Sequence, residues 1–212
     1  MRWLTAKMLE TWAGERLDAR AVLPRLMGQL IRASASDIAA FRFPAEDSAQ
    51  IEGWDGRLIA SPHDRFKAFV PQGSSVWEFG VEKTPRKKAE KDYKKRTANP
   101  DEGVALEETT YVFVTPRTWA RADKWCASKK ESSRWADVRV IDAVDLEDWL
   151  ALCQGVAAAF ARENRLTPRT DVQCVDEFWE IYSRRFAPPL REEVLFAGRA
   201  EQRKELGRVN II

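Results

Sequence analysis

The segment "TTYVFVTP", residues 109 to 116, constrains the fold more than any other. Side chains of a strand alternate between two faces, so an unbroken run of apolar and β-branched residues leaves neither face suited to water. Such a strand belongs inside a sheet covered by helices on both sides, and Pro116 ends it. "SSVWEFGV", residues 74 to 81, reads the same way with one exception, Glu78.

The flanking patterns supply the layers. Residues 3 to 33 read as helical, with Leu26, Met27, Leu30 and Ile31 on one stripe and Pro24 suited to a first turn. "SDIAAFRFP" (36 to 44) reads as a strand. Asp55-Gly56 and Pro71 to Gly73 are turn signals, each leading into a strand, the second from Ser75 to Val81. Residues 86 to 98 are helical by composition. In "TWARADKWCASKKES" a helical spacing puts Trp119, Ala122 and Cys126 on one face. "DVRVIDAVD" (137 to 145) is a last strand, and Asp145 is placed to cap the helix that follows, with Asp148 three residues on. The order helix, three strands, helix, strand, helix, strand, helix predicts an α/β fold, a mixed central sheet flanked by helices. Residues 1 to 165 form this domain. The aromatic, basic and proline-broken stretch 166 to 212, ending mid-pattern on "RVNII", is expected to be an extension or linker toward a further domain.

Composition narrows the class. A net charge of +2 is too small to announce a nucleic-acid binder, so that case rests on where lysines cluster. Cys126, Cys153 and Cys174 are odd in number, widely spaced and without a CxxC pair, which argues for reduced thiols and against a disulfide framework or zinc site. The longest small-apolar stretch, "ALCQGVAAAF", is too short to span a bilayer, and the start, with two Glu, one Asp and no apolar core run, is no secretory signal. The expectation is a cytoplasmic protein without a membrane partner.

Glu78 is the chemical anomaly. A carboxylate inside an apolar strand is costly to bury unless a cation or donors compensate it. Trp77 and Phe79 point to the opposite face. Glu78 shares its own face with Gly80, which leaves room for a side chain from elsewhere. Metal-assisted phosphodiester cleavage needs carboxylates from separate elements converging on Mg²⁺, with a lysine near the phosphate. Asp55, at the start of one strand, and Glu78, in the next, are candidate ligands of Mg²⁺ (or Mn²⁺). Lys88 is the first candidate for the lysine and Lys83 the second. Lys87, Lys91, Lys94 and Lys95 line the rest of the helix as phosphate contacts. Helical spacing also pairs Lys88 with Asp92 and Asp92 with Arg96. His63 sits in a loop, Glu10 and Glu15 read as surface residues, and Ser74 and Ser75 have no histidine nearby for a triad.

With "GWDG" feeding one strand and "VWEFG" in the next, the chain resembles the PD-(D/E)XK restriction-endonuclease-like superfamily. "TTYVFVTPRTW" and "ADVRVIDAVDLEDWL" are similar to the later strand-helix-strand part of its Mrr-like members. "GWDG", "KAEKDYKKRT" and "FWEIYSRRFAPPL" together resemble an N-terminal domain of large multidomain bacterial proteins, in which a predicted NTPase region follows and anti-phage defence is suspected. The resemblance implies a Mg²⁺-dependent DNA nuclease in which Asp55 and Glu78 are the metal-binding acids. It also implies DNA and the rest of a larger chain as partners, with pairing into a homo-oligomer where both strands are cut. Gly80 stands where the superfamily has its lysine. The alternative is therefore a catalytically inactive nuclease-like module that binds nucleic acid or a protein, including an adaptor whose "FWEIYSRRF" segment docks elsewhere.

Overall fold

The computed structural model describes residues 4–44, 53–100, 103–132, 134–166, 175–185 and 197–199. The chain divides into two compact units, Met1–Thr167 and Pro168–Ile212. In the first, helices α1 (Ala6–Glu15) and α2 (Ala19–Arg32) precede strands β1 (Ala35–Arg42), β2 (Gly56–Pro62) and β3 (Gly73–Phe79). Then come α3 (Pro85–Ala98), β4 (Thr109–Val114), α4 (Ala122–Ser132), β5 (Asp137–Ile141), α5 (Ala143–Leu152) and α6 (Gln154–Glu163). The described part of the second unit contains α7 (Val175–Ser183), on which Phe178 stacks on Tyr182. Among the described residues no helix is long and apolar enough to cross a membrane.

The five strands lie in chain order in one mixed sheet flanked by helices, an α/β architecture. β1, β2 and β3 form an antiparallel meander; β3, β4 and β5 run parallel. Every residue of β4 is buried, as its composition requires. Its side chains divide between two cores. Val112 and Val114 join Trp77, Phe79 and the apolar faces of α1, α2, α5 and α6. Tyr111 and Phe113 join Val76, Val138 and residues of α3 and α4, among them Ala89, Tyr93 and Trp125. A period of two thus distributes one strand over both helical layers, and Glu78 falls on the α3 side.

Three local expectations are corrected. Pro24 is not in a first turn but is the sixth residue of α2, whose N-cap is Asp18. There its missing N–H forgoes one helical bond, a cost offset by burial of Leu23, Leu26, Met27, Leu30 and Ile31. The cap after β5 is Asp142, not Asp145. The Asp142 carboxylate accepts the N–H groups of Val144 and Asp145, and Asp145 returns the bond as the third residue of a capping box. Asp142 also accepts the Trp119 N–H at 2.8 Å, which ties the segment before α4 to this cap and leaves Trp119 outside the helix. Finally, the helical run after β5 is broken at Cys153 into α5 and α6. The break lets Trp149 and Leu150 on one piece, and Ala157 and Phe160 on the other, face the same core.

Candidate active site

The ladder between β2 and β3 pairs Gly56 with Trp77 and Arg57 with Val76. One step further along this register, Asp55 stands opposite Glu78, on the same face of the sheet. Asp55 is half-buried, and its Oδ2 accepts the Phe79 N–H at 2.8 Å, closing the end of the ladder. Glu78 is only 4% exposed. The two candidate acids therefore meet at the C-terminal end of β3, one fixed by a backbone donor and the other by burial.

From above, α3 brings three more groups. Arg96 donates from Nε to Glu78 Oε1 at 2.5 Å and from Nη2 to the Gly53 carbonyl. Its guanidinium lies 4.6 Å from the centre of the Trp54 ring, where a cation is attracted by the ring face. The expected Asp92–Arg96 partnership thus gives way to Glu78–Arg96, because a buried carboxylate has the greater need of a charge partner. The Lys88–Asp92 partnership forms as its spacing predicts: Lys88 Nζ lies 2.6 Å from Asp92 Oδ2. The angle there is not that of a hydrogen bond, so Asp92 Oδ2 holds an ion pair and no hydrogen bond.

Lys88 also explains Gly80. A Cβ built on Gly80 would lie 3.0 Å from Lys88 Cγ and 2.7 Å from Phe113 Cζ. The aliphatic stem of Lys88 thus occupies the space that the glycine leaves beside Glu78. A lysine at position 80 would collide with the Phe113 ring, which is fully buried. Gly80→Ala is accordingly expected to destabilise the protein by ~1–3 kcal/mol, the usual cost of overpacking, read as a lowered thermal midpoint with unchanged far-UV circular dichroism.

The electrostatics follow from this crowding. Burial, and then the negative charge of Asp55, push the Glu78 carboxyl up to about 8. The Arg96 charge and hydrogen bond oppose this, and Asp92 adds to it. Burial, followed by the charges of Glu78 and Asp92, holds the Tyr111 hydroxyl well above its ordinary range. Three acids thus share the pocket with two cations, Lys88 and Arg96. Tyr111 Oη is buried here without a hydrogen-bond partner among the described residues, as is Trp54 Nε1. Sequence reasoning missed Tyr111 and Trp54 as parts of the site. For Arg96 a signal existed, since it falls on the sheet-facing side of α3 beside Ala89 and Tyr93.

The other lysines lie elsewhere on α3. Lys87, Lys91, Lys94 and Lys95 are exposed, and Lys83, also exposed, lies before the helix and lines a pocket that does not include Glu78. Lys94 reaches Glu90, which also binds Lys129 and the Trp125 indole N–H. Burial works to raise the Glu90 carboxyl, but the hydrogen bonds from Lys129, Trp125 and Lys94 together outweigh it and bring it down to about 2. A folded-state value below the unfolded one stabilises the fold above the unfolded value, near 4.5, and this gain fades as pH falls toward 2. Wild type should therefore exceed Glu90→Gln by ~1 kcal/mol above pH 5, discounted for exposure, and the two should converge near pH 2 in urea titrations. Glu10, on α1, accepts the Thr118 N–H and takes no part in the site.

Mg²⁺ prefers carboxylate oxygens and commonly takes only one or two of them from a protein, completing its shell with water and phosphate. Among the described residues no three His, Cys, Asp or Glu side chains gather as a ligand set. Asp55 and Glu78 nevertheless fit the smaller requirement. Each carboxylate has one oxygen engaged by Phe79 or Arg96 and one without a hydrogen bond among the described residues. The Tyr111 hydroxyl beside them, buried without a hydrogen-bond partner among the described residues, is a polar group that water on a bound ion would satisfy. No family model, no curated protein and no solved structure matches this chain.

Proposed function

We propose that this chain is a Mg²⁺-dependent DNA nuclease domain of the PD-(D/E)XK kind, the effector part of a bacterial defence protein. One observation carries the reading: Asp55 and Glu78 stand side by side at the end of the β2–β3 ladder, with the stem of Lys88 in the space above Gly80. Asp55 and Glu78 would hold the ion. Mg²⁺, when bound, withdraws charge from a phosphate and acidifies water. The remaining work belongs to the chain. Phe79 N–H orients the Asp55 carboxylate, Arg96 orients that of Glu78, and Asp92 holds Lys88 as a positive charge for the scissile phosphate. Lys87, Lys91, Lys94 and Lys95 extend outward toward the backbone of a strand, contacts that position DNA without reading its sequence. The test is incubation of supercoiled and linear DNA with Mg²⁺, Mn²⁺ or EDTA. Cleavage that requires the ion supports the reading; its absence under all conditions overturns it.

A second reading has its own observation. Both site cations are already committed to carboxylates, and Arg96 joins Glu78, Gly53 and Trp54 as a structural clamp would. On this reading the domain binds nucleic acid or a partner protein without cutting. Salt-sensitive DNA binding, together with a melting temperature indifferent to Mg²⁺, would favour it over the nuclease.

A further inference from the structure

A cavity of about 660 Å³ opens between the segment joining β3 to α3 and the segment joining β4 to α4. Asp55, Glu78, Lys88 and Arg96 are not among the residues that line it, and only Lys87 is shared with the DNA contacts proposed above. Its size falls within the range of pockets for small organic ligands. Four cationic side chains line it: Lys83, Arg86 and Lys87 from one segment and Arg121 from the other. None of the four carries an ion pair among the described residues, whereas Lys88, Lys94, Lys129 and Lys130 nearby each do. The one acid at its rim, Glu90, is already neutralised by Lys94 and Lys129.

Four exposed cations around one opening give it a positive potential, which attracts an anionic ligand. The rest of the lining differs in kind. Pro85, Ala120 and the residual exposed edge of Trp119 present an apolar surface between the cations. Trp119 is held in place by edge contact with Phe113 and a tilted contact with Trp125, so that surface is pre-formed. Thr84 and Thr118 add hydroxyls at the rim. The Thr84 side chain makes no capping bond to α3, so the favourable end of the helix dipole is left to a ligand's negative charge.

We infer that this cavity binds a phosphorylated nucleoside, its phosphate held by Arg86, Lys87, Lys83 and Arg121 and its ring set against exposed Ala120 and the edges of Pro85 and Trp119. Arginine forks suit the phosphate oxygens, and the apolar floor suits a planar heterocycle better than a bare anion. The same chemistry arrives from two sources, a free nucleotide or one unit of a nucleic-acid strand, and the two arms of the test tell them apart.

In one arm, nuclear magnetic resonance of the whole chain in EDTA follows the Trp119 indole and the backbone signals of residues 83 to 87 and 118 to 121 during addition of adenosine monophosphate. In the other, a short single-stranded oligonucleotide without terminal phosphate is added. Inorganic phosphate is the comparison. Saturable shifts at these residues with the mononucleotide assign a free nucleotide; shifts with the oligonucleotide alone assign a strand. Lys87→Ser combined with Arg121→Ser, both at exposed positions, should weaken the effective ligand by about tenfold or more without changing the fold. Absence of shifts from both ligands, binding of inorganic phosphate as tight as that of the nucleotide, or undiminished binding by the double variant would each overturn the inference. Because EDTA is present throughout, this outcome is independent of whether the domain cleaves DNA.

Discussion

Asp55→Asn and Glu78→Gln should each lower Mg²⁺-dependent DNA cleavage by at least about 100-fold, the loss that follows removal of one electrostatic element of a catalytic site. Both replacements keep size and shape. The asparagine amide would still present an oxygen to the Phe79 N–H, and the glutamine amide would still accept from Arg96, so the ladder end and the α3 clamp survive. What disappears is the carboxylate, and at Glu78, whose carboxyl is pushed up to about 8, the proton it would release as a divalent ion binds. Asp55→Ala is the poorer test, because it also strands a backbone donor. Lys88→Ala belongs in the same series: losing its charge should slow cleavage, while the space above Gly80 merely empties. The measurement is initial cleavage rate, with circular dichroism and melting to confirm the fold. If both charge-removed variants cut as fast as wild type, the two acids do not hold the ion.

The largest structural loss is expected at Trp149→Ala, ~3–5 kcal/mol, the range for deleting a buried aromatic side chain. Trp149 is fully buried, stacks on Phe69 with ring centres 5.2 Å apart, and donates its indole N–H to Ser34 Oγ at 2.7 Å. Ser34 in turn donates to the Leu30 carbonyl, so the indole ties α5 to the end of α2 through one buried hydroxyl. Truncation opens a cavity in the core between the sheet and the α1, α2, α5 and α6 layer, and it also removes a hydrogen bond. For a domain of this size the midpoint should fall by roughly 6 to 20 °C. Trp149→Phe keeps most of the volume and loses the donor, so it should cost distinctly less. A thermal melt of the two variants side by side separates packing from hydrogen bonding. Equal midpoints for wild type and alanine would refute the packing account.

Much of the architecture was legible in the chain because it depends on periods. The unbroken β4 run and the amphipathic α2 stripe report burial directly, and the order of elements leaves few ways to stack them. Boundaries were less legible. Pro24 sits inside α2, Asp142 outcompetes Asp145 as cap, and the helix break at Cys153 has no local signal. In each case packing between distant elements decides among conformations that differ locally by about a kilocalorie. For the site, alternation put Glu78 and Gly80 on one face, and helical spacing put Lys88 beside Asp92. Tyr111 stayed hidden because nothing in an apolar run marks which ring will border a carboxylate, and Trp54 because a tryptophan in a turn does not show which cation it will meet.

By itself the amino-acid order determined a central strand, β4, buried on both faces, an acid placed inside the apolar run of β3 and a basic helix directly after, since these follow from side-chain alternation and hydrophobicity alone. Only the tertiary structure decided which cation meets which acid. Arg96 goes to Glu78 and Lys88 to Asp92, while Lys83, Arg86, Lys87 and Arg121 gather around a separate cavity. The reason is physical: charge partners are selected by separation and burial in three dimensions, and strand register and helix docking set both.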